Sequence, residues 1–518
     1  MYEYNLGLRF QGLAKRFAQS TALWFGESES ITYGGLNSLA NQTARWLLEC
    51  GVGAGDVVCL SGVKSLQTFA RMLACLKIGA IYSVLDPESP AGRLRKILST
   101  CRPQVLIAGQ DFLFEAESTI TELGIASEVE PPADVVDKYE DIDLSRTRAV
   151  TGADPAYIMF TSGSTGIPKG AVMTHANVLN LIRWSNSTYS ITPDDVLTNV
   201  NPLYFDNSVF DFYTALFNGA RLVPFSRDEV KDPKAIVRKV AAAGCTLWFS
   251  VPSLLIFLQT MRATDGKNLR SIRRFIFGGE GYPKAKLKQL YLAYADSSEF
   301  FNVYGPTECT CICSSYRMTE KDFEDLRGFP PLGYIADNFS YLILGEDGKQ
   351  LDAGETGELC LLGPNVGKGY YNDAERTAAS FVQNPHNDKF CEVTYKTGDL
   401  ARLDPTDGKL YIQGRRDNQI KHLGYRIELE EIEVALYGLK YVTEAAALHT
   451  SANGLSRIVA VVAPREPFDD ERIRRDLGRI IPAYMIPSVF HREEMLPKNP
   501  NGKVDRIQLA KKYLPAQE

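Results

Sequence analysis

Apolar and polar positions along the chain alternate between two periods. Stretches with apolar residues every three or four positions predict amphipathic helices, as in LNSLANQTARWLLEC (36–50), LQTFARMLACLKIG (66–79) and KAIVRKVAAAG (234–244). Between them lie short β-branched or fully apolar runs, VVCLSG (57–62), AIYSVLD (80–86) and TLWFSV (246–251), which predict buried strands. Strands alternating with helices read as βαβ units around a largely parallel sheet. After about residue 330 the pattern shifts to short strands and turns, YLILGEDGKQL, GELCLLG and KLYIQG, with GEDG and PTDG as hairpin signals. Helix–strand alternation returns in the last hundred residues: RIELEEIEVALYGL (426–439) as a helix, AAALHT and RIVAVVAP as strands, DDERIRRDLGRII as a helix. The expectation is an α/β fold, with a large N-terminal domain over 1–416 that includes a small β-barrel-like subdomain. A small, mobile α+β C-terminal domain over 417–518 follows.

Composition narrows the class. The 518 residues carry 57 Lys plus Arg against 63 Asp plus Glu, a net charge of −6. A nucleic-acid binder should have a basic surplus, so none is expected as a partner. The opening MYEYNLGLRF has no basic segment followed by an apolar one, so no secretory signal is expected. No apolar run reaches the length of a membrane span. The 10 cysteines sit singly in apolar runs, as reduced core cysteines do. Cys309, Cys311 and Cys313 are the exception. In an extended segment they would share a face, but they lack CxxC spacing and a nearby His, so metal binding is not the expectation. Reduced cysteines without a targeting segment favour the cytoplasm.

The densest chemical signal is Phe160–Gly170, FTSGSTGIPKG, behind the apolar run AYIMF and ahead of the helical pattern HANVLNLIRWS. Hydroxyls and glycines packed this closely can surround phosphate oxygens with donors while Lys169 adds charge. The alternative is a polar surface turn. It is not a Walker A loop, because Gly170 follows the lysine. Nor does Gly51–Gly55 match G-x-G-x-x-G, which sets a nicotinamide-type fingerprint aside.

This stretch resembles the phosphate-binding loop of the adenylate-forming enzymes: acyl-CoA synthetases, luciferases and the adenylation domains of nonribosomal peptide synthetases. The resemblance extends in order through Ile31–Tyr33, Leu76–Tyr82 with Asp86, Asn302–Glu308, Tyr395–Asp399, Gly414–Asp417 and Asn499–Arg506. It implies two half-reactions: a carboxylate attacks the α-phosphate of ATP, giving an acyl-adenylate and pyrophosphate, and a thiol then displaces AMP. It also implies that Thr161, Ser162, Gly163, Ser164, Thr165, Gly166 and Lys169 cradle the phosphates. Glu308 is implied as the Mg²⁺ ligand, Tyr304 as the adenine stack and Asp399 with Arg415 as the ribose contact. Gly279, Glu280, Asn302, Gly305 and Thr307 are implied to flank the nucleotide. Lys503 is expected to be the catalytic lysine that reaches from the small domain to the reacting groups, with Lys169, Thr161 and Glu308, and Asp417 to be the hinge. A lysine suits that reach as a point charge on a long stem.

The resemblance further puts Asp206 where a carboxylate pairs with a substrate α-ammonium, whereas an N-cap is its plain alternative. The side-chain pocket carried over is Asn207, Phe210, Phe249, Ile276, Gly278, Val303, Cys311 and Ile312. It is apolar and narrowed by two phenylalanines, with Gly278 returning some volume, which suits a small or medium apolar amino acid, alanine- or proline-like. Phe275–Gly305 and YRMTEKDF (316–323) also resemble D-alanine–carrier-protein ligases, which have a cysteine in place of Gly278. The chain is expected to be a monomeric, stand-alone adenylation enzyme. It would load an amino acid onto the phosphopantetheine of a separate carrier protein, with ATP and Mg²⁺. An acyl-CoA synthetase using free coenzyme A, or an inactive nucleotide-binding relative, is the alternative.

Overall fold

The computed structural model describes residues 3–129, 136–452, 455–466, 469–498 and 504–514. Two sheets carry the N-terminal part. In the six-stranded sheet the order is Ala126–Val129, Val105–Ala108, Val57–Ser61, Ile81–Leu85, Pro155–Thr161 and Lys169–Thr174. All its pairings are parallel except the last, where Thr161 faces Lys169 across an antiparallel ladder. Val57–Ser61 and Ile81–Leu85 are buried at every position, as strands covered on both faces must be.

The nine-stranded sheet runs Tyr334–Ile335, Ser314–Arg317, Glu299–Tyr304, Arg274–Gly278, Leu247–Ser250, Val196–Asn199, Arg221–Pro224, Thr21–Gly26 and Glu29–Thr32. Phe249, Ile276 and Phe301 pair across its three central parallel strands, and Gly278 pairs with Val303. Because side chains alternate at period 2, these residues share one sheet face. The other face shows Trp248, Phe275, Phe277 and Phe300, which pack into a separate core cluster. The strand residues thus divide cleanly between two apolar layers.

The expected subdomain of short strands is an antiparallel sheet of Ser340–Leu344, Thr356–Leu362, Val393–Leu403, Phe381–Gln383 and Leu410–Arg415. The PTDG segment joins Val393–Leu403 to Leu410–Arg415 as a hairpin. The smaller C-terminal domain holds the two-stranded hairpin Gln419–His422/Tyr425–Glu428. It also holds a three-stranded sheet of Val442–Ala452, Leu455–Pro464 and Val489–Arg492, with helices Leu429–Tyr437, Asp470–Leu477 and Arg506–Tyr513. Its apolar residues form cores of their own, around Ile432, Leu436, Val462 and Leu477 and around Leu448 and Leu509.

Two local expectations need correcting. RIELEEIEVALYGL is not one helix: Tyr425–Glu428 is a strand and the helix starts at Leu429. The helix expected at HANVLNLIRWS is present as His175–Tyr189, with the strand Lys169–Thr174 between it and the phosphate-loop candidate. Its donors therefore come from a loop between antiparallel strands and not from a helix N-terminus. The cysteine trio is not extended either. Thr307–Cys309 is a 3-10 turn, and Thr310 and Cys311 have φ of 59° and 76°, which breaks the shared face. All 10 cysteines are free. Among the described residues no cluster of three or more His, Cys, Asp or Glu side chains is arranged to hold a metal ion, and no helix is long and apolar enough to cross a membrane.

Candidate active site

The candidate residues gather where the carboxyl ends of parallel strands from both sheets meet, the place open α/β sheets offer for a ligand. Pro155–Thr161 delivers the FTSGSTGIPKG loop, Arg274–Gly278 delivers Gly279 and Glu280, and Glu299–Tyr304 delivers Gly305, Thr307 and Glu308.

Within the loop, Gly166 N–H donates to Gly163 O at 2.8 Å and the Lys96 ammonium donates to Gly166 O at 2.7 Å. The Ser162 hydroxyl donates to Arg426 O at 2.7 Å. Thr161 Oγ1 is buried and has no partner, an orphaned polar atom at the mouth of the loop. Such an atom is costly unless a ligand satisfies it. Thr165 is exposed, its hydroxyl held by the Arg376 guanidinium, and Ser164 is exposed.

Glu308 is fully buried. Tyr370 OH donates to its Oε1 at 2.7 Å and Arg426 Nη1 to its Oε2 at 2.6 Å. Burial alone would raise this carboxyl, but the cations Arg426 and Lys169 outweigh it and hold Glu308 at about 2. Lys169 Nζ in turn donates to Glu428 Oε1 at 3.3 Å. Burial, with Arg426 beside it, lowers the lysine from its ordinary value. The ionised carboxylate is the right kind of oxygen ligand for magnesium. Both of its oxygens are nevertheless engaged, one by a guanidinium, so a divalent cation does not fit on Glu308 while Arg426 is seated there.

Asp399 accepts from the Tyr304 hydroxyl on one oxygen and from Arg415 on the other. Arg415 also donates to Asp417, from Nε at 2.6 Å and Nη2 at 2.8 Å. The ribose and hinge candidates thus form one connected ion-pair chain. Asn302 is spent on the fold, its amide donating to Pro331 O at 2.8 Å. Glu280 accepts from Ser253 N–H at 2.7 Å and from Gly424 N–H at 3.0 Å.

Asp206 precedes the helix Asn207–Leu216, but its side chain makes no capping bond. The capping alternative fails. Its Oδ2 instead accepts from the Thr307 hydroxyl at 2.6 Å. Burial raises the Asp206 carboxyl above its ordinary value, against the opposing pull of Lys421 and Thr307. The pocket residues beyond it converge. Phe210 and Phe249 meet edge to face at 4.9 Å, and Ile276, Val303, Cys311 and Ile312 join them in one buried cluster. Asn201 fixes this wall, donating to Phe249 O and to Asp211 Oδ2 at 3.0 Å each. Gly278 is the exception to the volume reading. A Cβ there would run into the backbone carbonyl of Val303, so the glycine lets two strands approach and returns no room to the pocket.

Two cavities open at the site. One, of about 60 Å³, is lined by Asp206, Thr307, Thr161, Ser162, Lys421, Gly424 and Arg426 among others. The second, of about 300 Å³, is lined by the cations Lys169, Lys396, Arg415, Arg416 and Arg426 with Glu358 and Asp417. Sequence reasoning missed Arg426, Glu428, Lys421 and Tyr370. The first three stand in or beside the run read as a helix, and nothing in the local pattern points Arg426 118 residues back to Glu308 or Glu428 259 residues back to Lys169. Lys503 lies outside the described residues.

A two-domain α/β enzyme with a hydroxyl- and lysine-bearing anion loop at the strand ends is the class this geometry defines. The chain belongs to the AMP-binding enzyme family: the AMP-binding enzyme profile matches residues 10–371, and that of the AMP-binding enzyme C-terminal domain matches residues 431–503. It is 33% identical over 506 residues to bacitracin synthase 1 of Bacillus licheniformis, covering 96% of this chain and 9% of that protein. It is also 33% identical over 489 residues to surfactin synthase subunit 3 of Bacillus subtilis (strain 168), covering 93% of this chain and 37% of that one. The chain therefore spans only a fraction of the length of these relatives. Among solved structures, an NRPS protein containing adenylation and PCP domains, bound to a vinylsulfonamide inhibitor, superposes with a TM-score of 0.84 at 25% identity, over 98% of this chain and 84% of that one.

Proposed function

We propose that the chain activates an amino acid as its aminoacyl-adenylate and passes it to the phosphopantetheine thiol of a carrier protein. In the first step a substrate carboxylate oxygen forms a bond to the α-phosphorus of ATP. The bond from that phosphorus to the bridging oxygen breaks, and pyrophosphate leaves with the electron pair. In the second, the thiol sulfur bonds to the acyl carbon, the acyl–oxygen bond breaks and AMP leaves, the thiol proton passing to solvent. Bringing a carboxylate against a polyphosphate needs cations to offset repulsion and hold the in-line geometry. Lys169 is assigned that role on the phosphates, with Thr161 offering its unpartnered hydroxyl. Lys503 is assigned to the reacting carboxylate and α-phosphate. Asp399 and Arg415 are assigned to the ribose, Tyr304 to the adenine, and Asp417 to the pivot between the domains 1–416 and 417–518.

The observation that carries the amino-acid reading is Asp206. It caps no helix, lies beside the apolar cluster, accepts from the Thr307 hydroxyl and feels Lys421 across the cavity without a direct ion pair, so an α-ammonium would give it the cation partner that a fatty or aryl acid does not bring. The relatives' names, peptide synthases, support it. The apolar lining, narrowed by Phe210 and Phe249, favours a small or medium apolar side chain.

The test is amino-acid-dependent ATP–pyrophosphate exchange across L- and D-amino acids, with fatty and aryl acids as controls. Exchange with one apolar amino acid is the expected result. Exchange only with a non-amino acid overturns the Asp206 assignment and moves the chain to the acyl-CoA synthetases.

A further inference from the structure

The hydroxyls of the phosphate loop are spent in different ways. Ser162 gives its proton to Arg426 O, Thr161 Oγ1 is buried without a partner, and Ser164 is exposed. Thr165 differs, because the guanidinium of Arg376 holds its oxygen. A guanidinium can only donate, so Thr165 Oγ1 is the acceptor in that contact. The Thr165 proton is left over, and among the described residues no acceptor takes it. Arg376 is itself fixed. Its Nη1 donates to Ile167 O at 3.2 Å and pairs with Asp373 Oδ2 at 3.1 Å, while its backbone N–H donates to Asp373 Oδ1 at 3.1 Å. It stands on the short helix Ala374–Ser380. That helix follows Tyr370 and Tyr371, which are tied to the strand leaving the loop by the Ala171–Tyr370 bridge and by Tyr371 N–H on Gly170 O at 2.8 Å. The planar fork thus grips two points of the loop from a frame anchored to the loop's own strand. Asp373 neutralises most of its charge, so what Arg376 offers the loop is direction more than attraction.

We propose that Arg376 is a positioning residue for the polyphosphate: by filling the acceptor side of Thr165 Oγ1 it leaves the hydroxyl proton for a phosphate oxygen, and Thr165 meets the anion as a preset donor. This rests on the adenylation reading, which makes that anion the polyphosphate of ATP. A threonine hydroxyl is otherwise free to rotate and can donate or accept. One preset as a donor has less orientation to lose when the anion arrives. Lys96 supports the same loop by another route. Its Nζ donates to Gly166 O at 2.7 Å, a backbone contact that involves no hydroxyl, so its effect does not pass through Thr165.

Calorimetry with magnesium ATP tests it, on the parent, Arg376→Met, Thr165→Val and the double variant. Arg376→Met should bind about tenfold more weakly than the parent, the loss expected when a hydrogen bond to a charged group is misdirected. In the Thr165→Val background the same change should cost less than about twofold, because the hydroxyl it orients is gone. In the Thr165→Ser background, which keeps a hydroxyl, the loss of about tenfold should return. Lys96→Met is the control, and its effect should be the same factor with or without Thr165→Val. Equal losses from Arg376→Met in both the parent and the Thr165→Val chain overturn the assignment, as does undiminished binding by a folded Arg376→Met. A Lys96→Met effect that also disappears with the hydroxyl overturns it too, since the order of the loop, not the direction of one proton, would then be at stake. A parent that binds no magnesium ATP removes the anion loop and the assignment with it. If the cycle behaves as expected but no amino acid supports exchange of pyrophosphate into ATP, Arg376 keeps its role and the amino-acid reading falls.

Discussion

Asp206 shows how a binding residue can oppose the fold that holds it. Its carboxyl is raised by burial, so the native chain keeps a proton that the unfolded chain has already released. Stability then falls as pH rises through the interval between the unfolded and the raised folded value. Asp206→Asn, which keeps the shape and removes the charge, should therefore leave the urea midpoint at neutral pH unchanged or higher. The same change should raise KM for the amino acid in the exchange assay by roughly 30- to 1,000-fold, the range expected when a cation loses its buried carboxylate partner. In the parent, amino-acid affinity should weaken as pH falls, beginning above the ordinary carboxylate range, and that acid limb should vanish in the variant. A drop in stability with an unchanged KM would make Asp206 a structural residue.

At the scale of elements, the hairpin Gln419–Glu428 is held by docking more than by its own propensity. A two-stranded hairpin is marginal alone, and this one turns through Leu423 and Gly424, both with positive φ, 52° and 81°. A Cβ on Gly424 would lie 2.5 Å from Val251 Cγ1. Gly424→Ala should thus combine about 1–2 kcal/mol of left-handed strain with lost seating, read as faster proteolysis or hydrogen exchange across 419–428. Gly408→Ala is the control: its φ is 67° and its Cβ would meet nothing within 4 Å. It should lose stability to strain alone and leave the hairpin protected. This hairpin also marks where the sequence stopped being legible. Long elements such as Leu66–Ile78 and Ile81–Leu85 announce themselves by period, because each buries a whole face. Tyr425–Glu428 is only four residues, and its Glu-rich continuation follows a helical period, so the strand was absorbed into the helix behind it. Asp206, Glu308 and Lys169 could be picked out by motif. Their partners Arg426 and Glu428 could not, because those contacts exist only once the small domain folds back on the large one.

For the whole molecule, polar groups buried between distant elements set how the fold responds to pH. The ion pair of Arg93 with Glu431 joins residues 338 apart in a nearly dry interface, and its two charges are matched. Lys77 is different. It is fully buried at the end of the helix Leu66–Ile78, donating to Asn37 Oδ1 at 2.7 Å and Asn41 Oδ1 at 2.8 Å, with Asp143 only at 3.9 Å. Burial, which Asp143 offsets in part, lowers it to about 7. Between that value and the ordinary lysine range the unfolded chain holds more protons than the native one, so this group makes stability rise with pH. From pH 7 to pH 9 its contribution should grow by about 2 kcal/mol. Urea unfolding of the parent and of Lys77→Met at the two pH values isolates it. The parent should gain that much more than the variant on going to pH 9, whatever the cysteines and tyrosines contribute to both. An equal response in the two chains would mean that the two asparagines and Asp143 keep Lys77 charged throughout, and that its burial is fully compensated by its partners.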